Sequence, residues 1–280
     1  MKVLWIADFS VKHNVGGAQR TDEHIKDFGR SLGYQIFEFN YNTSSELYRN
    51  VEYDMIVSGN LENLYRRNDV FEFILSHKNH IRLEHDSNSY LSQKERIALF
   101  QSSKKTIFLS DFHYKTFLEL YGNIFNNVEI VSSPIDTAKF FNKNEDREDK
   151  TLYIGFFHFY KGTQNFLKEA LMNPDKQYAV AGWGNLKNEN LIRSFNNIEW
   201  LGKLDYNSMP DLYNKYKKLF YHPEKFEPFC RAVAEAAMCG MELDCSKNIG
   251  AIQDLNDHGI EKLKEMCKDS PKRFWDLVCE

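Results

Sequence analysis

Short, mostly apolar runs that recur along the chain are the feature that most constrains its fold. Each run has three to five residues and is separated from the next by a longer segment with helical patterning; in the first half the runs are Val3–Ala7, Gln35–Phe39, Met55–Val57, Ile81–Leu83, Thr106–Leu109 and Val128–Val131. Strands that alternate with helices in this way are typical of βαβ units and a parallel sheet. The first half is therefore predicted to form a doubly wound α/β domain.

A second set of runs follows a charged break. Residues 142–150, with the sequence NKNEDREDK, are all polar or charged, which predicts a solvated linker. The alternation then resumes with strands at Leu152–Gly155, Tyr178–Gly182, Ile198–Gly202 and Leu219–His222. We therefore predict two Rossmann-like domains, residues 1–141 and 151–280, that face a cleft. Ligands of such folds bind outside the carboxyl ends of the strands.

Bulk properties narrow the possible functions. A length of 280 residues suits two domains of roughly 100–150 residues each. The formal net charge of −4 gives no general attraction to nucleic acid or to an anionic membrane. No run approaches the roughly 20 apolar residues of a membrane span, and Asp8 interrupts the N-terminal run where a signal peptide would stay apolar.

The cysteines point to a reducing environment. Their number is odd, none forms a CxxC pair, and they lie in the last part of the chain, at Cys230, Cys239, Cys245, Cys267 and Cys279. Disulfide bonds and a zinc site are therefore not expected, and we predict a cytoplasmic protein.

Within the segment from His222 to Gly240, Glu227 and Glu235 are separated by seven residues. Pro228 suits the start of a helix, so Glu227 should lie in the preceding loop and Glu235 inside the helix. A helical rise over this distance separates the carboxylates by roughly 10 Å. That spacing is too long for two acids acting on one bond, but it suits the two ends of an extended nucleotide-sugar. Free N–H groups at the start of the helix, near Phe229 and Cys230, would attract its phosphates.

Several segments in order resemble the motifs of family-4-type retaining GT-B glycosyltransferases. Residues 235–240, EAAMCG, resemble the end of the family's E-x7-E element, and residues 155–162, GFFHFYKG, keep the spacing of its Gly-Arg-x4-Lys-Gly element. Residues 131–140, 179–184 and 200–204 resemble the inter-domain turn, a strand with its glycine turn, and the segment against the nucleotide base. The resemblance covers most of the chain. It implies a hexosyl- or pentosyltransferase of the GT-B fold that uses a nucleotide-sugar, with UDP as the expected nucleotide, and retains the anomeric configuration.

The resemblance also implies roles for individual residues. Lys161 would bind the donor diphosphate, Glu235 the ribose hydroxyls and Glu227 the sugar hydroxyls. An ammonium group can offset the charge that develops on a departing nucleoside diphosphate. No Asp-x-Asp element stands at a strand end in a donor-binding position, so no catalytic metal or other cofactor is expected. The other predicted donor-binding residues are Gly16, Gly17, His158, Leu204, Phe229 and Cys230.

Two positions depart from the family's pattern. Phe156 stands where the family has an arginine and cannot donate a hydrogen bond, so His158 is expected to replace the arginine in part. Cys230 stands where the family often has a glycine. The departure at Phe156 leaves a nucleotide-sugar-binding module without turnover as an alternative function.

Two features of the first half are predicted to contact substrate. Gly16 and Gly17 follow the first strand, and a helix that starts there would favour a phosphate or a sugar hydroxyl. His85 follows the strand Ile81–Leu83, where the family often has a histidine near the acceptor. An imidazole there could orient a sugar hydroxyl or the acceptor, and His85 is the third predicted catalytic residue with Glu227 and Lys161.

The acceptor is expected to be a glycan or a small molecule. The opening stretch, residues 5–20, is also similar to short glycosyltransferases of tailed phages, which implies a hydroxymethylated base in DNA as an alternative acceptor. A DNA acceptor would need a basic groove, which could be formed by Lys12, Arg20, Arg66, Arg67, Lys104 and Lys105.

Overall fold

The computed structural model describes residues 1–12, 16–43, 51–87 and 91–279. The chain divides into two compact units. Unit 1 contains Met1–Pro134 and Met266–Glu280, and unit 2 contains Ile135–Glu265. Each unit is built on one fully parallel sheet with helices, which confirms the prediction of two α/β domains of Rossmann type.

The sheet of unit 1 has the strand order β2-β1-β3-β4-β5-β6. Its strands are β1 (Lys2–Ile6), β2 (Gln35–Phe39), β3 (Met55–Ser58), β4 (His80–Leu83), β5 (Lys105–Phe108) and β6 (Val128–Ile130). All residues of β3, β4 and β5 are buried, as expected for parallel strands that are covered on both faces. The strand order reverses between β1 and β3: β2 lies on one side of β1, and β3 to β6 follow in sequence on the other side. The carboxyl ends of β1 and β3 therefore form a topological switch point, where such folds bind ligands.

Within the described part of unit 1, four helices connect these strands: α1 (Gly17–Ser31), α2 (Asn68–Ser76), α3 (Gln93–Ser102) and α4 (Asp111–Tyr121). A 3-10 turn at Leu64–Arg66 precedes α2. Helix α3 begins with a capping box in which Ser92 and Glu95 bond to each other's backbone N–H groups. Part of the core forms where apolar residues of β1 and β3 pack against Val70 and Ile74 of α2.

The sheet of unit 2 has the order β11-β10-β7-β8-β9, so its switch point lies between β7 and β10. The strands are β7 (Glu148–Phe157), β8 (Tyr178–Gly184), β9 (Ile198–Gly202), β10 (Tyr216–Tyr221) and β11 (Glu242–Cys245). The helices are α5 (Thr163–Met172), α6 (Leu186–Arg193), α7 (Met209–Lys215) and α8 (Arg231–Met238), with 3-10 turns at Phe159–Lys161 and Tyr206–Ser208. The last helix, α9 (Gly250–Cys279), has a non-helical residue at Gly259 and continues from unit 2 into unit 1.

The boundaries of the units differ from the predicted domains 1–141 and 151–280. Unit 2 begins at Ile135, and β7 already begins at Glu148, within the segment predicted to be a linker. The charges of this segment have partners: the Lys150 ammonium lies 2.9 Å from a carboxylate oxygen of Glu148 and 2.7 Å from one of Glu199. A charged sequence can therefore form a strand when carboxylates on the same strand and on β9 pair with its lysine.

The C-terminal boundary differs because the end of α9 packs into unit 1. The Trp275 side chain is buried, and its indole N–H donates to the backbone carbonyl of Ile25 in α1 at 2.8 Å. A Cβ atom added at Gly29 would lie 2.4 Å from the Trp275 ring, so glycine permits the close contact between α1 and α9. Met266–Glu280 therefore belongs to unit 1 and not, as predicted, to the C-terminal domain.

Candidate functional site

Lys161 and Glu227 meet at the switch point of unit 2. Lys161 ends the 3-10 turn that follows β7, and Glu227 lies in the loop that follows β10. The Lys161 ammonium nitrogen lies 2.7 and 3.0 Å from the two carboxylate oxygens of Glu227. The lysine side chain is 41% exposed and the glutamate 14%, so the ammonium side of the pair is open to solvent. The structure thus brings two of the predicted catalytic residues into direct contact.

The two loops that carry this pair are held close together by their backbones. Gly162 has a φ of +77°, and a Cβ atom there would lie 2.1 Å from the carbonyl oxygen of His222, so glycine is required next to Lys161. The Glu227 N–H donates to the carbonyl of Asn248 at 2.9 Å, and the Gly250 N–H donates to the Glu227 carbonyl at 2.9 Å. The backbone of Glu227 is therefore fixed on both sides.

Glu235 lies inside α8, as predicted, and is buried. The Tyr206 hydroxyl donates to its Oε1 at 2.7 Å, the Arg231 guanidinium lies 3.3 Å from the same oxygen, and the Tyr213 hydroxyl donates to Oε2 at 3.4 Å. Arg231 also donates to the Tyr206 hydroxyl at 2.9 Å. Burial and the Glu235 carboxylate raise the pKa of Tyr206, which keeps this tyrosine a hydrogen bond donor at neutral pH. Both carboxylate oxygens thus have protein donors.

Phe229 and Cys230 form the turn before α8. The Phe229 side chain is buried in the core, so only its backbone remains for ligand contact. Cys230 caps α8 with a φ of +71°, a left-handed conformation that explains why the related family often has glycine there. Burial, together with the charge of Glu227, raises the pKa of the Cys230 thiol to about 12, so it stays protonated at neutral pH.

An aromatic strip, defined as Trp183, Phe156, His158 and Tyr160, lies at the carboxyl ends of β7 and β8. Successive ring centroids are 6.0, 5.9 and 4.8 Å apart. Phe156, in the position of the family arginine, is 43% exposed and stacks on His158 at an interplanar angle of 10°. Two cations cover the ends of the strip: Lys203 lies 5.0 Å from the Trp183 ring and Lys225 lies 4.3 Å from the Tyr160 ring.

The aromatic strip was not predicted from the sequence. The run Phe156–Tyr160, which holds five consecutive aromatic or imidazole rings, is the sequence feature that indicates it. Leu204, predicted to contact the base, is partly exposed, at 36%, in the loop after β9. His158 accepts a long hydrogen bond of 3.4 Å from the Tyr160 N–H, and its ring belongs to the strip.

Gly16, Gly17 and His85 all lie near the carboxyl edge of the sheet in unit 1. Gly16 precedes α1 and Gly17 is its first residue, whereas His85 follows β4. Gly16 is the N-cap of α1 and has an extended backbone conformation, with a φ of −104°. The His85 ring is buried, and its Nε2 lies 2.7 Å from the Asp22 carboxylate of α1. Residues 13–15, which are part of the predicted phage-like stretch, lie outside the described residues.

The same edge of unit 1 is rich in carboxyl groups. Asp8, after β1, accepts hydrogen bonds from the backbone N–H groups of Asn63 and Leu64, each at 2.9 Å. Burial and the nearby charges of Asp86 and Asp8 raise the pKa of Glu62 to about 9. Glu62 is therefore a neutral acid at pH 7, and the edge combines hydrogen bond acceptors with a carboxylic acid donor.

The basic residues proposed for a DNA groove do not form one surface. Lys105 is buried at the amino end of β5, where its ammonium donates to the backbone carbonyl of Leu277. Arg67 lies at the other edge of the sheet, with its guanidinium 5.2 Å from the ring of Phe39, the last residue of β2. Sequence position alone did not show that Lys105 has a buried partner far along the chain.

Within the described ranges, no group of three His, Cys, Asp or Glu side chains is arranged to hold a metal ion. The five cysteines, all of them within the described ranges, form no disulfide bond. Among the described helices, none combines the length and apolar character that a membrane crossing requires.

Comparisons with known proteins identify the family and the class of fold. The family model described as glycosyl transferases group 1 matches residues 134–274. No curated protein sequence matches the chain. The structure is similar to that of sucrose-phosphate synthase from Thermosynechococcus elongatus, with 12% identity, a TM-score of 0.72 and coverage of 99% of this chain and 96% of that one.

Two further solved structures are similar. Anabaena Alr3699/HepE in complex with UDP-glucose has 18% identity and a TM-score of 0.69, with 96% of this chain and 89% of that one covered. An alpha-glucosyltransferase in complex with UDP and a 13-mer DNA containing a HMU base has 11% identity and a TM-score of 0.63, with 100% of both chains covered. These similarities, with the two parallel-sheet units, confirm the predicted GT-B fold.

Proposed function

We propose, because the chain belongs to the glycosyl transferases of group 1, that it transfers a sugar from a UDP-linked donor to a hydroxyl group of a glycan or small molecule. The observation that carries this proposal is the pair of Lys161 and Glu227 at the switch point of unit 2. We further propose that the reaction retains the anomeric configuration and needs no catalytic metal, with the Lys161 ammonium as the group that stabilises the leaving UDP.

The contact between Lys161 and Glu227 suggests how the donor is held. A diphosphate carries more negative charge than one carboxylate, so it competes for the exposed Lys161 ammonium. Glu227 is then available to accept hydrogen bonds from the hydroxyls of the sugar. The lysine thus binds the charge that grows as the sugar–phosphate bond breaks, and the glutamate orients the sugar.

Glu235 is the proposed contact for the ribose. Its carboxylate keeps a negative charge matched by Arg231 and by the hydroxyls of Tyr206 and Tyr213. Each carboxylate oxygen has two lone-pair directions, so a ribose hydroxyl can add to this network or replace a tyrosine. In place of the family arginine, Phe156 contributes a ring of the aromatic strip that is stacked on His158.

The carboxyl edge of unit 1 is the proposed acceptor side, with His85 as the residue that orients a hydroxyl group. Asp8 and Asp86 favour an acceptor rich in hydroxyls, because carboxylates accept hydrogen bonds from hydroxyl groups and repel phosphates. A glycan or small polyol fits this edge. We also propose a cytoplasmic location, since five cysteines that form no disulfide bond suit a reducing compartment.

A second candidate acceptor is DNA with hydroxymethylated bases. The aromatic strip with Lys203 and Lys225 favours it, because exposed rings between cations suit the stacking of unpaired bases. The similar alpha-glucosyltransferase whose structure contains DNA also supports this candidate. The acid-rich edge of unit 1 opposes it, so we rank the glycan or small molecule first.

The proposal is tested by incubating the protein with UDP-glucose and other UDP-hexoses and UDP-pentoses, in EDTA, and measuring UDP release. We expect slow release from one donor in EDTA, and an α-linked product when that donor is α-linked. Activity that disappears in EDTA and returns with manganese would contradict the metal-free proposal. Tight UDP binding without release from any of these donors would leave a nucleotide-sugar-binding module as the function.

A further inference from the structure

Asp22 and His85 form a buried pair at the carboxyl edge of unit 1. Asp22 lies on α1 and His85 follows β4, and their side chains are 6% and 1% exposed. The Asp22 Oδ1 lies 2.7 Å from the His85 Nε2. A Cβ atom at Gly59, after β3, would lie 3.3 Å from the Asp22 carboxylate and 3.7 Å from the His85 ring. Three elements of unit 1 therefore enclose the pair and limit rotation of the ring.

The second ring nitrogen of His85 determines what this pair can do chemically. The His85 Nδ1 is buried and has no hydrogen bond partner among the described residues. Buried polar groups in folded proteins are normally paired, so an unpartnered ring nitrogen suits a contact with a ligand. A carboxylate that binds one imidazole nitrogen fixes the ring orientation and the role of the other nitrogen.

We propose that Asp22 is a positioning residue: its carboxylate holds the His85 ring so that Nδ1 hydrogen bonds a hydroxyl group of the substrate. This inference rests on the proposed function, since it takes the substrate at His85 to be a hydroxylated acceptor or sugar. Asp22 does not touch the substrate itself; it acts through His85. The ligand class is a neutral hydroxyl compound, in agreement with the carboxyl groups at the same edge.

The titratable groups around His85 decide whether its ring is neutral or positively charged. They are Asp22 from α1, Glu84 and Asp86 next to His85 in the chain, and His113 from α4. Burial opposes a charge on His85, but the Asp22 carboxylate outweighs it and raises the pKa of the ring. Glu84 is matched by Arg82 and Arg96, and burial lowers the pKa of His113 to about 3, which leaves it neutral.

The sign of the pH effect follows from this environment. A raised pKa keeps His85 charged to a higher pH than an ordinary histidine, so Nδ1 carries a proton and donates to a hydroxyl oxygen. Activity that needs this donor is present below the raised pKa and is lost as pH rises through it. Asp22→Asn removes the carboxylate charge, so the same loss should occur at lower pH.

The test combines four variants, Asp22→Asn, His85→Asn, the double variant and Asp27→Asn, in UDP release and acceptor transfer across pH. Asp27→Asn is the matched control, because Asp27 is on the same helix but 63% exposed. We expect Asp22→Asn to lower kcat by about tenfold, which is the effect of losing one hydrogen bond to a charged group. We also expect it to move the alkaline limb of the pH–activity profile, where activity falls as pH rises, to lower pH. UDP affinity should stay unchanged, and Asp27→Asn should match the wild type.

His85→Asn separates positioning from a structural role. The asparagine amide nitrogen can lie near the place of Nδ1 but cannot reach Asp22, so the alkaline limb should vanish. In this background Asp22→Asn should cause no further loss of kcat. Equal losses from Asp22→Asn in both backgrounds, or an alkaline limb that persists in His85→Asn, would overturn the inference. If Asp22→Asn fails to fold, an alkaline limb that persists in His85→Asn would still overturn the inference.

Failure of the proposed function gives a different result. A wild-type protein that releases no UDP from any donor would contradict the transferase proposal, and this inference with it. A wild-type protein that turns over its donor, with Asp22→Asn unchanged in kcat and pH profile, would contradict the role of Asp22 alone.

Discussion

The Lys161 ammonium and the Glu227 carboxylate form an ion pair across the two loops that follow β7 and β10, with a closest distance of 2.7 Å. In the absence of donor, each group neutralises the other in a partly exposed setting. In the proposed mechanism, donor binding exchanges one anion for another on the same ammonium. This exchange links the binding of the diphosphate to the availability of Glu227 for the sugar.

Glu235 and Glu227 should affect different steps. Glu235→Ala is expected to raise the Kd for UDP about tenfold or more, because a hydrogen bond to a charged group contributes about 1.5–3 kcal/mol. Glu227→Ala should lower turnover more than UDP affinity, since we propose that Glu227 contacts the sugar. Glu235→Gln is the matched variant, because it removes the charge but keeps one acceptor oxygen, which can bind the Tyr206 hydroxyl. UDP titration of each variant measures the effect, and equal losses of UDP affinity at positions 227 and 235 would contradict the separate roles.

Cys230 should carry backbone strain that glycine relieves. Its φ of +71° is costly for a residue with a side chain, by about 1–2 kcal/mol. Cys230→Ala removes the thiol but keeps the Cβ atom, whereas Cys230→Gly removes both. We therefore expect Cys230→Gly to be more stable than Cys230→Ala by about 1 kcal/mol in urea unfolding. A glycine variant that is less stable than the alanine variant would mean that the Cβ packing outweighs the strain.

Glu62 should make the unfolding free energy fall with rising pH. Its pKa is raised to about 9 in the folded chain, so between the ordinary glutamate pKa and pH 9 the folded state keeps a proton that the unfolded state has lost. Stability from this group is thus present at low pH and lost as pH rises. Glu62→Gln should stabilise the protein at pH 8 and much less at pH 5. Thermal unfolding at both values measures this, and an equal change of Tm at the two would contradict it.

The pattern of the sequence predicted much of the fold, because strand and helix periodicity are local properties. The pairing of Lys161 with the E-x7-E segment also follows from topology, since both positions come directly after neighbouring parallel strands. Contacts between segments that are distant in sequence could not be predicted from local sequence patterns. Trp275 binds the backbone of Ile25, and Asp22 binds His85, through packing that no local spacing shows. The contacts of Tyr206 and Tyr213 with Glu235 also depend on such packing. Lys105 was predicted to be a surface cation because its buried carbonyl partner is remote in sequence.

Salt dependence should separate the two candidate acceptors. A DNA acceptor predicts duplex binding that falls steeply between about 50 and 200 mM salt, because each phosphate contact releases counterions. We expect a shallow dependence for a glycan or small-molecule acceptor. Tyr160→Ala should weaken binding to single-stranded DNA if the aromatic strip stacks bases, whereas Leu186→Ala, at another exposed apolar residue, should not. Steep salt dependence together with sugar transfer to hydroxymethylated DNA would contradict our first choice of acceptor.

The central claim is that Lys161 binds the donor diphosphate and stabilises the departing UDP. The most direct measurement is UDP release in EDTA by the wild type, Lys161→Ala and Lys168→Ala, where Lys168 is an exposed lysine of α5. Our account predicts that Lys161→Ala lowers turnover by about 10²–10³, the effect of removing one charge-stabilising donor, and that Lys168→Ala is unchanged. Turnover by Lys161→Ala within about twofold of the wild type would contradict the account.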